Sequence, residues 1–205
     1  LYNIDPAWST AEITEIEAMT ELLETHMPKT RHPVPSLRLE ENNLVQKMAA
    51  FDPARVIVFN WCEEIPGIAH SCALVAGGLE KMGFTFTGAD ADALQFSLDK
   101  PAVKERLEAN GIPIPTWQVF ESPGIMNWDC YPAIVKPAYE HSSVGITREA
   151  VVHNRQELET QVEHVLTRYE QPVLVEDFID GREFHATVVG NGNLQVLPIA
   201  EMDFS

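Results

Sequence analysis

The sequence is poor in positive charge. Fourteen Lys and Arg stand against 31 Asp and Glu, a formal net charge of −17. So acidic a surface repels duplex nucleic acid and anionic lipid, and neither is expected as a general partner. ATP is not excluded, because a few local lysines suffice for it. Long apolar runs are missing as well. No stretch approaches the roughly 20 residues that span a bilayer, and the start shows no charged, then apolar, then small-residue leader. Cysteine is scarce. Cys62, Cys72 and Cys130 are odd in number and widely spaced, with no C-x-x-C. That fits reduced thiols in a cytoplasmic protein better than a disulfide framework. The seven histidines form no tight cluster with metal-ligand spacing. No internal repeat or low-complexity segment is evident. Leu1-Tyr2-Asn3 reads as the tail of a strand, and Ile199 to Phe204 runs into Ser205 without a closing helix. The reading is of a fragment, or of a sequence shortened by disorder.

What is there is a core. The chain is 45% hydrophobic and 22% charged over 205 residues, enough for one large domain or two small ones. Ser9-Thr10-Ala11-Glu12 has capping-box spacing. Ile13, Ile16, Met19, Leu22 and Leu23 then mark one helix face. Leu44 to Phe51 reads as a short second helix. Arg55 to Asn60 is a β-branched and aromatic run, expected as a strand buried on both faces. A helix is expected over His70 to Met82, stopped by Gly83, and a strand over Phe84 to Phe86. Strand, helix and strand in alternation predict a parallel sheet with helices on it. Asp99 can cap a helix whose first turn takes Pro101, with Val103 and Leu107 as its apolar face and Asn110-Gly111 as its end. Ile112 to Pro115 is extended. Further on, the pattern predicts strands at Ala133–Lys136, near Val151-Val152, at Val173–Phe178 and at Glu183–Val189. A helix is expected over Arg155–Tyr169. Asn191-Gly192 signals a hairpin returning through Leu194–Ile199.

One run carries chemistry. The apolar strand Ala133-Ile134-Val135 delivers Lys136, followed by Pro137 and then Glu140-His141-Ser142-Ser143-Val144-Gly145. A lysine leaving a buried strand is costly unless an anion meets it. A loop of small residues with backbone N–H groups is what a polyphosphate needs beside such a cation. The run points to nucleotide binding.

Four pieces stand in order: Asp99-Lys100, Ile134-Val135-Lys136-Pro137, the 140–145 loop, and Val175-Glu176-Asp177-Phe178-Ile179-Asp180-Gly181-Arg182-Glu183. In order and spacing, over about Leu79 to Phe204, this resembles the D-alanine–D-alanine ligase family of ATP-grasp enzymes. Leu79-Glu80-Lys81-Met82-Gly83 followed by Thr87-Gly88 is similar to that family too.

The resemblance implies an α/β fold. A Rossmann-like, parallel-sheet N-terminal domain would span 1–95, and an ATP-grasp α+β domain would follow. The latter would comprise a small subdomain over 96–180 and the incomplete start of a large subdomain over 181–205. It also implies roles. Lys100 and Lys136 would contact ATP phosphates, although Lys100 by itself reads equally as a surface lysine. Ser142, Ser143 and Val144 would lie in the loop over the phosphates, with Ser142 near the substrate. His141 stands where the family often has glycine. Glu176, Asp177, Phe178 and Ile179 would form the hinge against adenine, and strand core is the other reading of Phe178 and Ile179. Glu183 would bind the ribose hydroxyls, a carboxylate being able to accept two O–H bonds; an exposed strand residue is its other reading. Glu12 would meet a substrate ammonium, or act only in the cap. The family's glycine-rich stretch is replaced by Asn60-Trp61-Cys62-Glu63-Glu64-Ile65-Pro66-Gly67, where Glu63 or Glu64 is a further candidate for the substrate pocket.

The implied activity is ADP-forming ligation of two amino acids through an acyl phosphate, serving peptidoglycan synthesis for the cell wall. The alternatives are another ATP-grasp carboxylate–amine ligase and a nucleotide-binding module without activity. ATP and Mg²⁺ would be the cofactors, with no metal ligand assignable. A small amino acid would be the substrate, and a homodimer is allowed. The chain alone is expected to be inactive, since the segment that holds metal in the family is not found.

Overall fold

The computed structural model describes the whole chain apart from residues 5–7, 28–33, 40–41, 63, 69, 125–126, 142 and 204–205, and apart from the side chain of residue 12. It divides into two compact units. Leu1–Ile112 with Ala138–Val144 form the first, and Pro113–Pro137 with Gly145–Ser205 form the second.

In the first unit, strands β1 (Tyr2–Asn3) and β2 (Arg38–Leu39) pair in parallel, as do β3 (Ile57–Val58) and β4 (Thr85–Phe86). A parallel bridge joins Tyr2 to Trp61, and the Leu1 amine donates to the Phe59 carbonyl at 2.8 Å, so β1 runs alongside the end of β3. Five helices belong here: α1 (Thr10–His26), α2 (Leu44–Met48), α3 (Cys72–Lys81), α4 (Ala91–Leu98) and α5 (Lys100–Ala109). The helix α3 forms because Ala73, Val75, Ala76 and Leu79 lie on one side at helical spacing and are buried. Val75 and Leu79 meet Leu39, Leu44, Met48, Val58 and Phe84 in a single core. Gly78 allows the close approach of α3 to α2, since a β-carbon there would lie 2.6 Å from Leu44 Cδ2. Gly83, with φ of +77°, ends the run as expected.

Two expectations fail in this unit. The strand at 55–60 is not buried on both faces. It shrinks to β3, with Val58 6% exposed and Ile57 73% exposed. The β-branched run reports strand propensity, whereas burial depends on what covers each face, and the core packs only on the Val58 side. The stripe on α1 is likewise not a buried face. Met19 and Leu22 are exposed, and Thr20 is the buried residue between them. The helix α5 begins as expected, Asp99 Oδ1 accepting from the Ala102 amide at 2.9 Å with proline in the first turn. It buries no residue, however, so Val103 and Leu107 are only half-covered. The sequence reading marks no helix at α4, whose start is the Asp90 side chain accepting from the Ala93 amide at 2.8 Å.

The second unit is a four-stranded antiparallel sheet in the order β5-β8-β6-β7 with one helix on it. The strands are β5 (Trp117–Phe120), β6 (Ala133–Pro137), β7 (Val151–Val152) and β8 (Val173–Asp177), and the helix is α6 (Arg155–Tyr169). The helix starts at a reciprocal cap. Asn154 Oδ1 accepts from the Glu157 amide at 3.0 Å, and Glu157 Oε2 accepts from the His153 amide at 2.8 Å. Its buried Leu158, Val162 and Val165 pack on Ala133, Val135, Val173 and Val175. By the two-residue period of a strand, Ile134, Lys136, Leu174 and Glu176 therefore face away from α6.

Beyond β8 the chain forms a ribbon: β9 (Glu183–His185) pairs with β12 (Ala200–Met202), and β10 (Val188–Val189) with β11 (Gln195–Val196). The expected single strand over 183–189 is broken. His185 faces Ala200 while Val188 faces Val196, so the register slips by one residue between the two pairs, as at a β-bulge. Both strands of the hairpin are interrupted for this reason, and every residue of the four strands is exposed.

Candidate functional site

In the second unit, β6 and β8 bring two expected site residues together. The register sets Ile134 opposite Glu176 and Lys136 opposite Leu174. Lys136 and Glu176 are thus diagonal neighbours on the face away from α6. The Lys136 ammonium donates to Glu176 Oε1. The Glu176 side chain is 9% exposed and that of Lys136 22%. A carboxylate so buried requires a cation beside it, and β6 supplies one. This face of the sheet thus presents an ammonium and a carboxylate side by side, one able to meet an anion and the other to accept from an N–H donor.

The chain leaving β8 narrows the backbone contribution to such a site. The Asp177 amide donates to the Thr116 carbonyl and the Phe178 amide to the Pro132 carbonyl, each at 3.0 Å. Both donors are committed to the fold. Ile179 is exposed and Phe178 half-buried. Glu183 opens β9, fully exposed, with its Oε1 3.4 Å from His185 Nε2.

Lys100, Ser143 and Val144 lie in the first unit. Lys100 opens α5. Its amide donates to the Ala138 carbonyl at 3.2 Å and its ammonium to the Glu140 carbonyl. Ser143 has φ of +60°, an uncommon value for a residue with a side chain, and the Val144 amide closes the turn on the His141 carbonyl at 3.0 Å. Gly145 follows at φ of +75°. A β-carbon on it would stand 2.8 Å from Pro137 Cγ and 3.0 Å from the Tyr169 ring, so this position requires glycine for both conformation and space. Ser142, Glu63 and the side chain of Glu12 lie outside the described residues.

Sequence reasoning missed the neighbours of Glu140. Glu64 Oε1 accepts from the His70 amide at 3.0 Å, His70 Nε2 lies 3.7 Å from Glu140 Oε1, and His141 Nε2 lies 3.4 Å from Ser97 Oγ. These positions are far apart in sequence, and no spacing announces them. Among the described residues, no group of three His, Cys, Asp or Glu is placed to hold a metal ion. Glu201, the late acid nearest a strand end, is taken by Arg182 in a two-pronged contact at 2.6 and 2.7 Å. Among the described residues, no helix is long and apolar enough to cross a membrane.

Residues 107–205 match the family described as "D-ala D-ala ligase C-terminus". A D-alanine–D-alanine ligase of Aquifex aeolicus is 36% identical over 62% of this chain and 43% of its own length. One from Carboxydothermus hydrogenoformans is 33% identical over 62% and 43%. The crystal structure of a D-alanine–D-alanine ligase from Bacillus anthracis complexed with ATP superposes with a TM-score of 0.74 at 21% identity, over 100% of this chain and 66% of that one. The chain spans less than half the length of these two curated relatives. From motif order, family match and fold together, the chain is similar to the D-alanine–D-alanine ligases, the family match lying over residues 107–205.

Proposed function

We propose that this chain is the nucleotide-binding part of an ADP-forming carboxylate–amine ligase that joins two amino acids, D-alanine–D-alanine ligase-like in its substrates. The observation that carries this reading is the Lys136–Glu176 pair, diagonal across β6 and β8 on the face away from α6, in the segment matched to the family. In this reading Lys136 and Lys100 hold phosphate oxygens. Glu176 accepts from the adenine amine while the backbone from Ile179 onward donates, and Glu183 accepts from ribose. Ser142, Ser143 and Val144 cover the phosphates and keep water out, and Glu12 receives the substrate ammonium. A carboxylate of the first amino acid attacks the γ-phosphorus and ADP leaves. The amine of the second then displaces phosphate from the resulting acyl phosphate. The role of the lysines is to stabilise charge that develops on the phosphoryl group.

Mg²⁺ would neutralise phosphate charge when bound. The described residues do not fit it, since hard oxygen ligands are not gathered and Glu201 is committed to Arg182. The finer architecture belongs to the same proposal: a Rossmann-like domain over 1–95, a small ATP-grasp subdomain over 96–180, and the start of the large one over 181–205. So do a cytoplasmic setting, a homodimer and a role in peptidoglycan synthesis. A second reading, ligation of a different amino acid, is favoured by the 60–67 segment, where Glu64 holds the His70 amide in place of a glycine-rich turn.

Calorimetry tests the reading. Lys136→Ala is expected to weaken ATP binding about 10-fold or more, the loss of a charge-assisted contact. Unchanged affinity in a folded variant would remove Lys136 from the phosphate site. ADP release measured with D-alanine against other amino acids separates the two readings.

A further inference from the structure

The segment Ala138–Val144 clusters with the first unit, although the residues on either side of it belong to the second. Its contacts there are polar. From α5, Lys100 donates its amide to Ala138 and its ammonium to the Glu140 carbonyl. From the turn before α3, His70 faces the Glu140 carboxylate at 3.7 Å. That imidazole is set by its own backbone, at φ of +58°, whose amide is held by Glu64. From α4, Ser97 meets His141 at 3.4 Å. The Ser97 hydroxyl hydrogen is already given to the Leu94 carbonyl at 2.8 Å, so its oxygen accepts and His141 Nε2 carries the hydrogen. Glu140 and His141 thus hold the segment through two imidazoles.

We propose that Glu140 and His141 form a protonation-sensitive latch holding this segment on the first unit, tightest when His141 is neutral. A protonated His70 pairs with the Glu140 carboxylate. A protonated His141 gains a charge beside Lys100 and His70, opposed by Glu140 and Glu64. Desolvation of the ring, then Lys100, holds the His141 imidazole below the ordinary histidine range. The latched state therefore binds fewer protons at His141 than the released one. Latching weakens as the pH falls through the ordinary histidine range toward that lowered value. Exposed or half-exposed polar contacts are individually weak, which suits a latch that opens.

The test is amide exchange of the 205-residue chain, without nucleotide, so its outcome is independent of the ligase reading. Rates are corrected for intrinsic exchange, and peptides covering 138–147 are followed with the α6 peptide as the folding reference. Near neutral pH, Glu140→Gln is expected to speed exchange of the segment about two- to fivefold while α6 is unchanged. Adding His70→Gln should bring no further gain. Wild-type protection should fall between about pH 7.5 and 5.5, and His141→Asn, a neutral donor to Ser97, should flatten that fall. Unchanged protection in Glu140→Gln, additive effects of the two substitutions, or a wild-type acid response that persists in His141→Asn would each overturn the latch.

Discussion

Replacing Lys136 by methionine keeps the length of the side chain and removes its charge, leaving the Glu176 carboxylate to face the interior without its cation. Breaking a fully buried ion pair by removing one partner costs about 3–5 kcal/mol, and losing a hydrogen bond to a charged group costs about 1.5–3 kcal/mol. The pair here is mostly but not fully dry, at 22% and 9% side-chain exposure, so the lower range applies. A loss of about 1.5–3 kcal/mol corresponds to roughly a 10- to 150-fold rise in exchange through unfolding of this sheet. The reporter is the Val175 amide region of β8, the strand flanked by both β5 and β6. Adding Glu176→Gln removes the buried charge and is expected to recover at least half of the loss, because a neutral pair replaces an orphaned ion. A Lys136→Met variant whose β8 protection moves less than twofold would refute the electrostatic account. So would a double variant no more protected than the single one, since the loss would then come from packing of the lysine stem.

Gly145→Ala is expected to cost at least about 1–2 kcal/mol from the left-handed backbone alone, with Pro137 and Tyr169 adding a clash. Gly192→Ala, at φ of +88° with open space around it, should lower the melting temperature less. The Glu157 carboxyl is held below its ordinary range by the His153 amide, with help from Asn154. Its contribution to α6 is complete above the ordinary carboxylate pKa and is lost as the pH falls through the lowered one. Amide exchange at the first turn of α6 should therefore gain protection loss in acid that Glu157→Gln does not show. Glu183→Gln should narrow the preference for ATP over dATP more than it weakens either. An unchanged ratio of affinities would exclude a ribose contact.

The second unit was the more legible half of the sequence. The helix α6 spans the expected Arg155–Tyr169, because its start and its apolar spacing agree locally. The strands β6 and β8 announced themselves as short apolar runs ending in charge. The spacing from Lys136 to Glu176 did not reveal that they touch, because that depends on the register of two strands about 40 residues apart. The first unit misled where burial rather than propensity was at issue. Ile57 and Met19 look like core residues and are exposed, since one side of β3 and the stripe on α1 lack cover. The helix α4 was overlooked, although the Asp90 cap that starts it stands in the sequence. The contacts of Glu140 were invisible, since they join three elements through single polar side chains.

The strand β8 divides its labour by parity. Val173 and Val175 insert under α6, while Leu174 and Glu176 point to the opposite face. A saturation library across these positions should therefore show two interleaved selection profiles. Valine positions would reject polar residues in any screen for expression, whatever ligand is supplied. Position 176 would accept or reject according to its partner at 136, so its tolerated residues should change when the library is built on Lys136→Met. Apolar burial and charge pairing would then be tunable separately along one strand, one alphabet for Val173 and Val175 and a coupled, two-site alphabet for position 176.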